Sequence, residues 1–489
     1  MNSAVIAEFC EGIDRFARKK INARAIDRAH AIPSGVLSGL AELGVFGASI
    51  PEEFGGAGLD LADACAVVTT LARHDRSVAT TVGLHLGLGR RGLVAYGSAA
   101  LKERWLPAIA AGECLAAFAT TEAGAGSDLA AIRTRGVEVA ETAETPALQV
   151  DGEKIFVTNG GFAKVYTITA STPGLGGARR GHSLLLLSPN DGGVTVGPEE
   201  EKLGLRGSST TTLHFDGTRV PMDRVIGVAG EGMSQLQHVL AWGRTVMAAG
   251  CIGSASAAFA AAKGHVATRV QFGRTLDAFE VVREQVADMA ATLYAMEALV
   301  GSATSGDRLL AQSIAAKVFC SEANWEIVDT ALQLHGGSGY IEETGLALLL
   351  RDARVTRIFE GANDVLRVHL GMIEVAPAAS RQPLSALGPL GRAADDFAMR
   401  VAALRDDLVA RHGVRIAREQ RLLHRVGQLV VLREATDAVV ARAHADGTLA
   451  ARWLALAKAR SLSLLAEPNQ STRVVTGAAP VAHPEGVHA

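Results

Sequence analysis

Three alanine- and leucine-rich runs, at 245–270, 276–304 and 309–335, constrain this chain more than any other feature. Alanine and leucine enter a helix at low cost, so runs this long with few breakers read as helices of an antiparallel bundle. Helical periodicity also fills residues 1 to about 117, interrupted by glycine turns such as Ile50-Pro51-Glu52-Glu53-Phe54-Gly55-Gly56. The texture changes between residues 118 and 221. There Leu148-Gln149-Val150 and Lys154-Ile155-Phe156-Val157-Thr158 flank Asp151-Gly152, a β-hairpin pattern. Ser183-Leu184-Leu185-Leu186-Leu187 and Thr211-Thr212-Leu213-His214-Phe215 read as further strands, the second closed by Asp216-Gly217. The expected fold class is therefore mostly α with a small β insertion. Its expected domains are a helical domain (1–117), a central β domain (118–221), a helical bundle (222–376), and a linker with an appended helical domain (377–489) that fades into a disordered end.

Composition removes several function classes. A net charge of −3 with 20% charged residues gives no electrostatic footprint for nucleic acid. The five cysteines are odd in number and form no CxxC pair, which argues against a disulfide framework or a zinc site. The histidines lack metal-ligand spacing, so no metal is expected. The N-terminus reads as an amphipathic helix with Ile6, Phe9, Cys10, Ile13 and Phe16 on one face, not as a signal peptide. With no uninterrupted apolar run of ~20 residues, a cytoplasmic location is expected. No GxGxxG follows a strand, and GxxxxGK[ST], HExxH and GxSxG are absent.

Four segments remain that can carry chemistry. In Arg357-Ile358-Phe359-Glu360-Gly361-Ala362-Asn363-Asp364, one carboxylate sits between an aromatic residue and a glycine. Apolar neighbours disfavour its charged form, which suits proton abstraction, and glycine admits a close-lying molecule. A plain ion pair of Glu360 with Arg357 is the competing reading. Phe118-Ala119-Thr120-Thr121-Glu122-Ala123-Gly124-Ala125-Gly126-Ser127-Asp128 offers hydroxyl and backbone donors to a polar heterocycle or phosphate; otherwise it is a solvated loop. Thr268-Arg269-Val270-Gln271-Phe272-Gly273 presents an arginine able to fork onto a diphosphate. Gln333-Leu334-His335-Gly336-Gly337-Ser338-Gly339-Tyr340 provides glycines for close backbone contact, or simply a helix C-cap.

In this order and spacing, the segments resemble the acyl-CoA dehydrogenases over about residues 30–375, most closely the very-long-chain branch. The resemblance implies a helical domain, a β-barrel-like domain and a helical bundle, with the tail similar to that branch's extra helical domain. It further implies FAD between the β domain and the bundle. Glu360 would remove the α-proton of a fatty acyl-CoA, of medium to long chain, as the flavin takes the β-hydride to give a trans-2-enoyl-CoA. Phe118, Thr120, Thr121, Phe156 and Thr158 would hold the flavin. Arg269 would reach the FAD diphosphate across a subunit interface, with Phe272, Gln333, Gly336, Gly337, Ala362 and Asp364 as further cofactor contacts. Ser127, Arg244, Phe359 and Gly361 would meet the substrate.

The chain departs from the family pattern at Phe156 (often Trp), Leu348 (usually basic) and Ala362 (usually Thr). Some branches carry the base just before the arginine that matches Arg244. Here Gly243 precedes it and 239–247 holds no carboxylate, so Glu360 is the only candidate. The implied partners are an electron-transferring flavoprotein and further copies of the chain, as a homodimer or homotetramer. The arginine-rich tail is expected to pack on the partner subunit, with peripheral membrane attachment as the lesser reading. An oxidase or carrier-protein-specific dehydrogenase, and a flavin-free assembly protein, are the rivals. The glycine-rich 82–92 stretch suggests either room for a long acyl chain or close helix packing.

Overall fold

The computed structural model describes residues 3–140, 146–177, 181–305, 308–376 and 381–465; part of the linker and the extreme C-terminus lie outside them. In the N-terminal domain, α1 (Ser3–Lys20) packs on α2 (Leu61–Ala72), followed by α3 (Arg76–Leu84), α4 (Arg90–Tyr96) and α5 (Ala99–Ala110). Ile13 of α1 is fully buried, and Ile6, Phe9, Cys10 and Phe16 rest against the same core. Asp60, Asp75 and Ser98 start α2, α3 and α5 by accepting a backbone N–H three residues on, the usual satisfaction of a helix N-terminus.

The glycine-rich 82–92 stretch is not one helix. It passes from α3 through a π-helical turn, His85–Gly89, into α4, with Gly87 at φ −91° and ψ −105°. A Cβ on Gly89 would stand 2.8 Å from the Ala116 carbonyl oxygen, so this glycine lets the turn press on the β domain. Gly92 makes ordinary contacts with Leu184, Thr167 and Val239. Close packing is thus the reason for glycine at 89, whereas a methyl would fit at 92.

The β domain is a mixed sheet of β1 (Ala116–Ala119), β2 (Arg135–Ala140), β3 (Pro146–Thr158), β4 (Val165–Ser171), β5 (His182–Leu187), β6 (Val194–Val196), β7 (Thr210–Pro221) and β8 (Val225–Ile226). The strand order is β6-β7-β3-β2-β4-β5-β8, with β1 parallel to β4. The expected hairpin at Asp151-Gly152 is corrected here: β3 runs straight through that dipeptide, and β7 runs through Asp216-Gly217. The two dipeptides face one another. The register shifts between the pairs Val150–Thr218 and Gly152–Phe215, and the Gly217 N–H donates to Asp151 Oδ1 at 2.6 Å. Gly152 (φ 142°) and Gly217 (φ 58°) supply the positive φ that a bulge needs as much as a turn does, so the local signal could not separate them.

The bundle consists of α6 (Gly232–Thr268), α7 (Glu280–Ser305), α8 (Leu309–His335), α9 (Leu346–Val355) and α10 (Asn363–Val375). Among the described residues α6 alone is long and apolar enough to cross a membrane, but 72% of its most apolar window is buried inside the bundle. Ala248, Ala249, Cys251, Ala255 and Ala258 of α6 are fully buried, small side chains that let the surrounding helices close in.

The appended α11 (Pro389–His412), α12 (Gln420–Arg442) and α13 (Gly447–Leu465) pack on the bundle of their own chain. α12 crosses α10 at two glycines. A methyl on Gly371 or Gly427 would overlap the Leu423 or Arg367 carbonyl opposite. Arg433 of α12 forks onto Glu374 of α10 at 2.7 and 3.0 Å.

Candidate active site

A cavity of about 290 Å³ opens where α3, the π-helical turn after it, β1, β3, α6 and the 359–361 segment converge. Phe118, Thr120, Thr121, Ser127, Phe156, Thr158, Arg244, Phe359, Glu360 and Gly361 all line it. Residues separated by over two hundred positions in sequence therefore share one wall.

Glu360 follows α9 in a left-handed conformation (φ 59°), with Gly361 at φ 103°. Such a φ is costly for a residue with a side chain and persists only where surroundings over-determine it. Two buried cations do so. Arg244 Nε donates to the Glu360 carbonyl at 3.0 Å. Lys317 Nζ donates to the Gly361 carbonyl and to Asn363 Oδ1, each at 2.7 Å. Asn363 Nδ2 in turn donates to Ser321 Oγ (2.9 Å) and Glu322 Oε1 (2.8 Å), fastening the turn to α8. The side chain of Glu360 lies over Gly243, where a Cβ would stand 2.9 Å from Oε2. That oxygen is buried without a hydrogen-bond partner.

Burial lifts the Glu360 carboxyl from 4.5 to about 7, against the smaller opposing pull of Arg244 and Lys317. Burial likewise lowers Lys317 to about 7. Arg357 does not compete for Glu360: it pairs with Glu322 at 2.7 Å. The ion-pair reading of Glu360 is thereby excluded.

Facing Glu360, the Thr120-Thr121 segment is held on β3 by a buried pair. Lys154 Nζ donates to Glu122 Oε1 (2.7 Å) and to the Thr120 carbonyl (3.1 Å), while Ile155 N–H donates to the Thr121 carbonyl at 2.9 Å. Glu122 also accepts the Arg133 and Thr134 N–H groups at 2.7 and 2.9 Å. Phe156 sits at a bulge with φ 57°, is 63% exposed, and lines the cavity. An apolar ring turned out of a strand beside hydroxyls on Thr120, Thr121 and Thr158 fits a planar, polar-edged heterocycle. The buried Arg244 Nη1 is another atom without a protein partner at this wall.

The remaining candidates lie elsewhere. Arg269 follows the end of α6, and Gln333, Gly336 and Gly337 surround the end of α8. These two groups are neighbours, joined by stacked His265 and His335 rings at 4.1 Å, but none of them lines the cavity. Phe272 there is 94% exposed, and Tyr340 and Ile341 are exposed as well. Ala362 precedes α10, and Asp364 in its first turn pairs with Arg367 at 2.9 Å and His424 at 3.3 Å, outside the cavity. Sequence reading missed Lys317, which sits mid-helix in α8 with no local sign that its ammonium reaches the 361–363 turn. It also missed Arg76, His369 and Gln237, which line the cavity.

Known proteins resemble this chain in sequence and fold. Three family models match in succession: the acyl-CoA dehydrogenase N-terminal domain (residues 6–113), middle domain (117–218) and C-terminal domain (230–373). A probable acyl-CoA dehydrogenase, FadE25, of Mycobacterium tuberculosis is 37% identical over 74% of this chain and 93% of its own. The mitochondrial very long-chain specific acyl-CoA dehydrogenase of Mus musculus is 34% identical over 75% of this chain, which spans 57% of that relative's length. Among solved structures, an acyl-CoA dehydrogenase from Bacillus anthracis complexed with FAD superposes with a TM-score of 0.82 at 26% identity, covering 95% of this chain and 88% of its own.

Proposed function

The chain belongs to the acyl-CoA dehydrogenase family, and from that premise we propose that it is an FAD-dependent oxidoreductase converting a fatty acyl-CoA to the trans-2-enoyl-CoA. Glu360 is its base. The observation that carries this reading is the half-buried Glu360 carboxyl, raised to about 7, whose Oε2 is buried and unpartnered at the cavity. A carboxylate so poised has a proton affinity matched to its task near neutral pH.

FAD fits the donor set described above, with Thr120, Thr121 and Thr158 for its polar edge and Phe156 for its face; bound there, it would supply the two-electron acceptor. The chain itself does the rest. Ser127 and the open backbone at Gly126, where a Cβ would meet nothing within 4 Å, receive the thioester at the cavity mouth. The Glu360 N–H donates to no other described residue and is free to polarise the thioester carbonyl, which acidifies the α-carbon. Glu360 then takes the α-proton on Oε2. Phe118, Leu240 and Phe359 exclude water, so the developing charge is met by fixed donors.

Arg269, Phe272, Gln333, Gly336 and Gly337 serve the diphosphate end of a cofactor bound by a second copy of the chain. Their distance from this chain's cavity and the exposure of Phe272 support that assignment. Electrons leave to an electron-transferring flavoprotein, and the reaction belongs to fatty acid β-oxidation. The test is aerobic: substrate-reduced protein should reoxidise slowly in air and quickly with a one-electron acceptor. Reoxidation by oxygen at the turnover rate, with stoichiometric hydrogen peroxide, would mark an oxidase instead.

A further inference from the structure

The cavity that holds Glu360 carries another charge that the chemistry above does not use. Arg76, the first residue of α3, is 3% exposed and lines the cavity together with Val68, Ala79, Thr80, Gly250 and Ile314. Its Nε has no hydrogen-bond partner, and no carboxylate among the described residues stands within 4.0 Å ion-pairing reach of its guanidinium. Two buried carboxyls influence it from further away, and both are engaged elsewhere. Asp75 Oδ1 accepts the Val78 N–H at 2.7 Å, and Asp352 Oδ1 accepts the Leu205 N–H at 2.6 Å. Burial raises Asp75 to about 6 and Asp352 to about 7, which limits how much negative charge they offer.

The bundle makes room for this guanidinium. A Cβ on Gly250 of α6 would collide with Arg76 Nη1. Glycine inside a helix costs ~1 kcal/mol relative to alanine, and at this position what it provides is space for the arginine. The neighbouring wall, Val68, Ala79 and Ile314, is aliphatic, with Thr80 as a further hydroxyl donor. A desolvated cation without a counter-ion is costly unless a ligand supplies one.

We propose that Arg76 is the receptor for a carboxylate at the far end of the acyl chain, so that this site takes the monothioester of a dicarboxylic acid, its thioester at Glu360 and its ω-carboxylate on the guanidinium. This deepens the dehydrogenase reading and rests on it. A guanidinium forks onto a carboxylate with two parallel hydrogen bonds, and a plain alkyl terminus would leave it buried and unpaired. Discrimination of this kind is strong, because the wrong substrate leaves a charged group unsatisfied.

The test compares kcat/KM for length-matched alkanoyl-CoA and ω-carboxyalkanoyl-CoA series on the flavin-loaded protein. Wild type should prefer the ω-carboxy thioesters at one chain length. Arg76→Gln should lower that preference on the order of 10²-fold, as loss of one partner of a buried charge pair implies, mainly through KM, and Arg76→Lys should recover part of it. Gly250→Ala, which displaces the guanidinium, should shift the preference in the same direction. Oxidation of alkanoyl thioesters with rejection of every ω-carboxy one would overturn the assignment, as would an equal loss of both series in Arg76→Gln. If that variant does not fold, the wild-type ratio and the Gly250→Ala shift decide. Failure of wild type to oxidise either series would instead sink the dehydrogenase reading, and the receptor with it.

Discussion

Replacing Glu360 by Gln tests whether the base is held at a cost. Burial moves its carboxyl from 4.5 to about 7, and at about 1.4 kcal/mol per tenfold change in proton affinity the charged form is disfavoured by about 3 kcal/mol. The folded chain therefore binds this proton more tightly than the unfolded chain. Below about pH 4.5 both states are protonated and the group costs nothing; stability then falls as pH rises, and the loss levels off above about 7. Glutamine is uncharged, and the cost of burying its amide is the same at every pH. The stability difference between Glu360→Gln and wild type should consequently grow by about 2.5 kcal/mol in the variant's favour from about pH 5 to about pH 8.5. Melting midpoints of both proteins across that range, followed by intrinsic fluorescence without thioester, give the readout. A gap that stays constant with pH would refute the claim that burial raises this carboxyl.

Lys317→Met should leave the Gly361 carbonyl and Asn363 Oδ1 without their shared donor. At ~1–3 kcal/mol for each unsatisfied buried acceptor, the melting midpoint should drop and turnover should fall with it; unchanged activity would show that the 360–363 turn holds itself. Gly89→Leu should impair substrates of all lengths equally, because the added side chain meets the Ala116 carbonyl and not the cavity. Gly83→Val, on the cavity wall, should instead penalise longer or bulkier acyl chains more than short ones. Deleting 392–489 should yield aggregated protein, since buried Leu423, Val426, Val430 and Trp453 join the same core as the bundle; a soluble, active truncation would show that the appended helices are dispensable.

How far the sequence could be read depended on how local each signal was. The runs at 245–270, 276–304 and 309–335 became α6, α7 and α8 because their composition and length admit little else. Glu360 could be singled out because its neighbours and the absence of a carboxylate in 239–247 are visible in one dimension. Its left-handed backbone was not visible, nor was Lys317, because both depend on a contact between segments 44 residues apart. Asp151-Gly152 misled for a related reason. The dipeptide correctly marks positive φ, but only the pairing of β3 with β7 decides between a turn and a bulge. Arg76 escaped for want of any local sign: a helix N-terminal arginine reads as solvated, and its burial follows from Gly250, on another helix.

Anaerobic rapid mixing of the flavin-loaded protein with an acyl-CoA tests the assignment of Glu360 most directly. The wild-type flavin absorbance should bleach rapidly. In Glu360→Gln, which keeps the shape of the side chain and loses the base, bleaching should slow by at least ~10²-fold with the thioester still bound. Bleaching of the variant at the wild-type rate would contradict the account, because the α-proton would then be leaving to some other group.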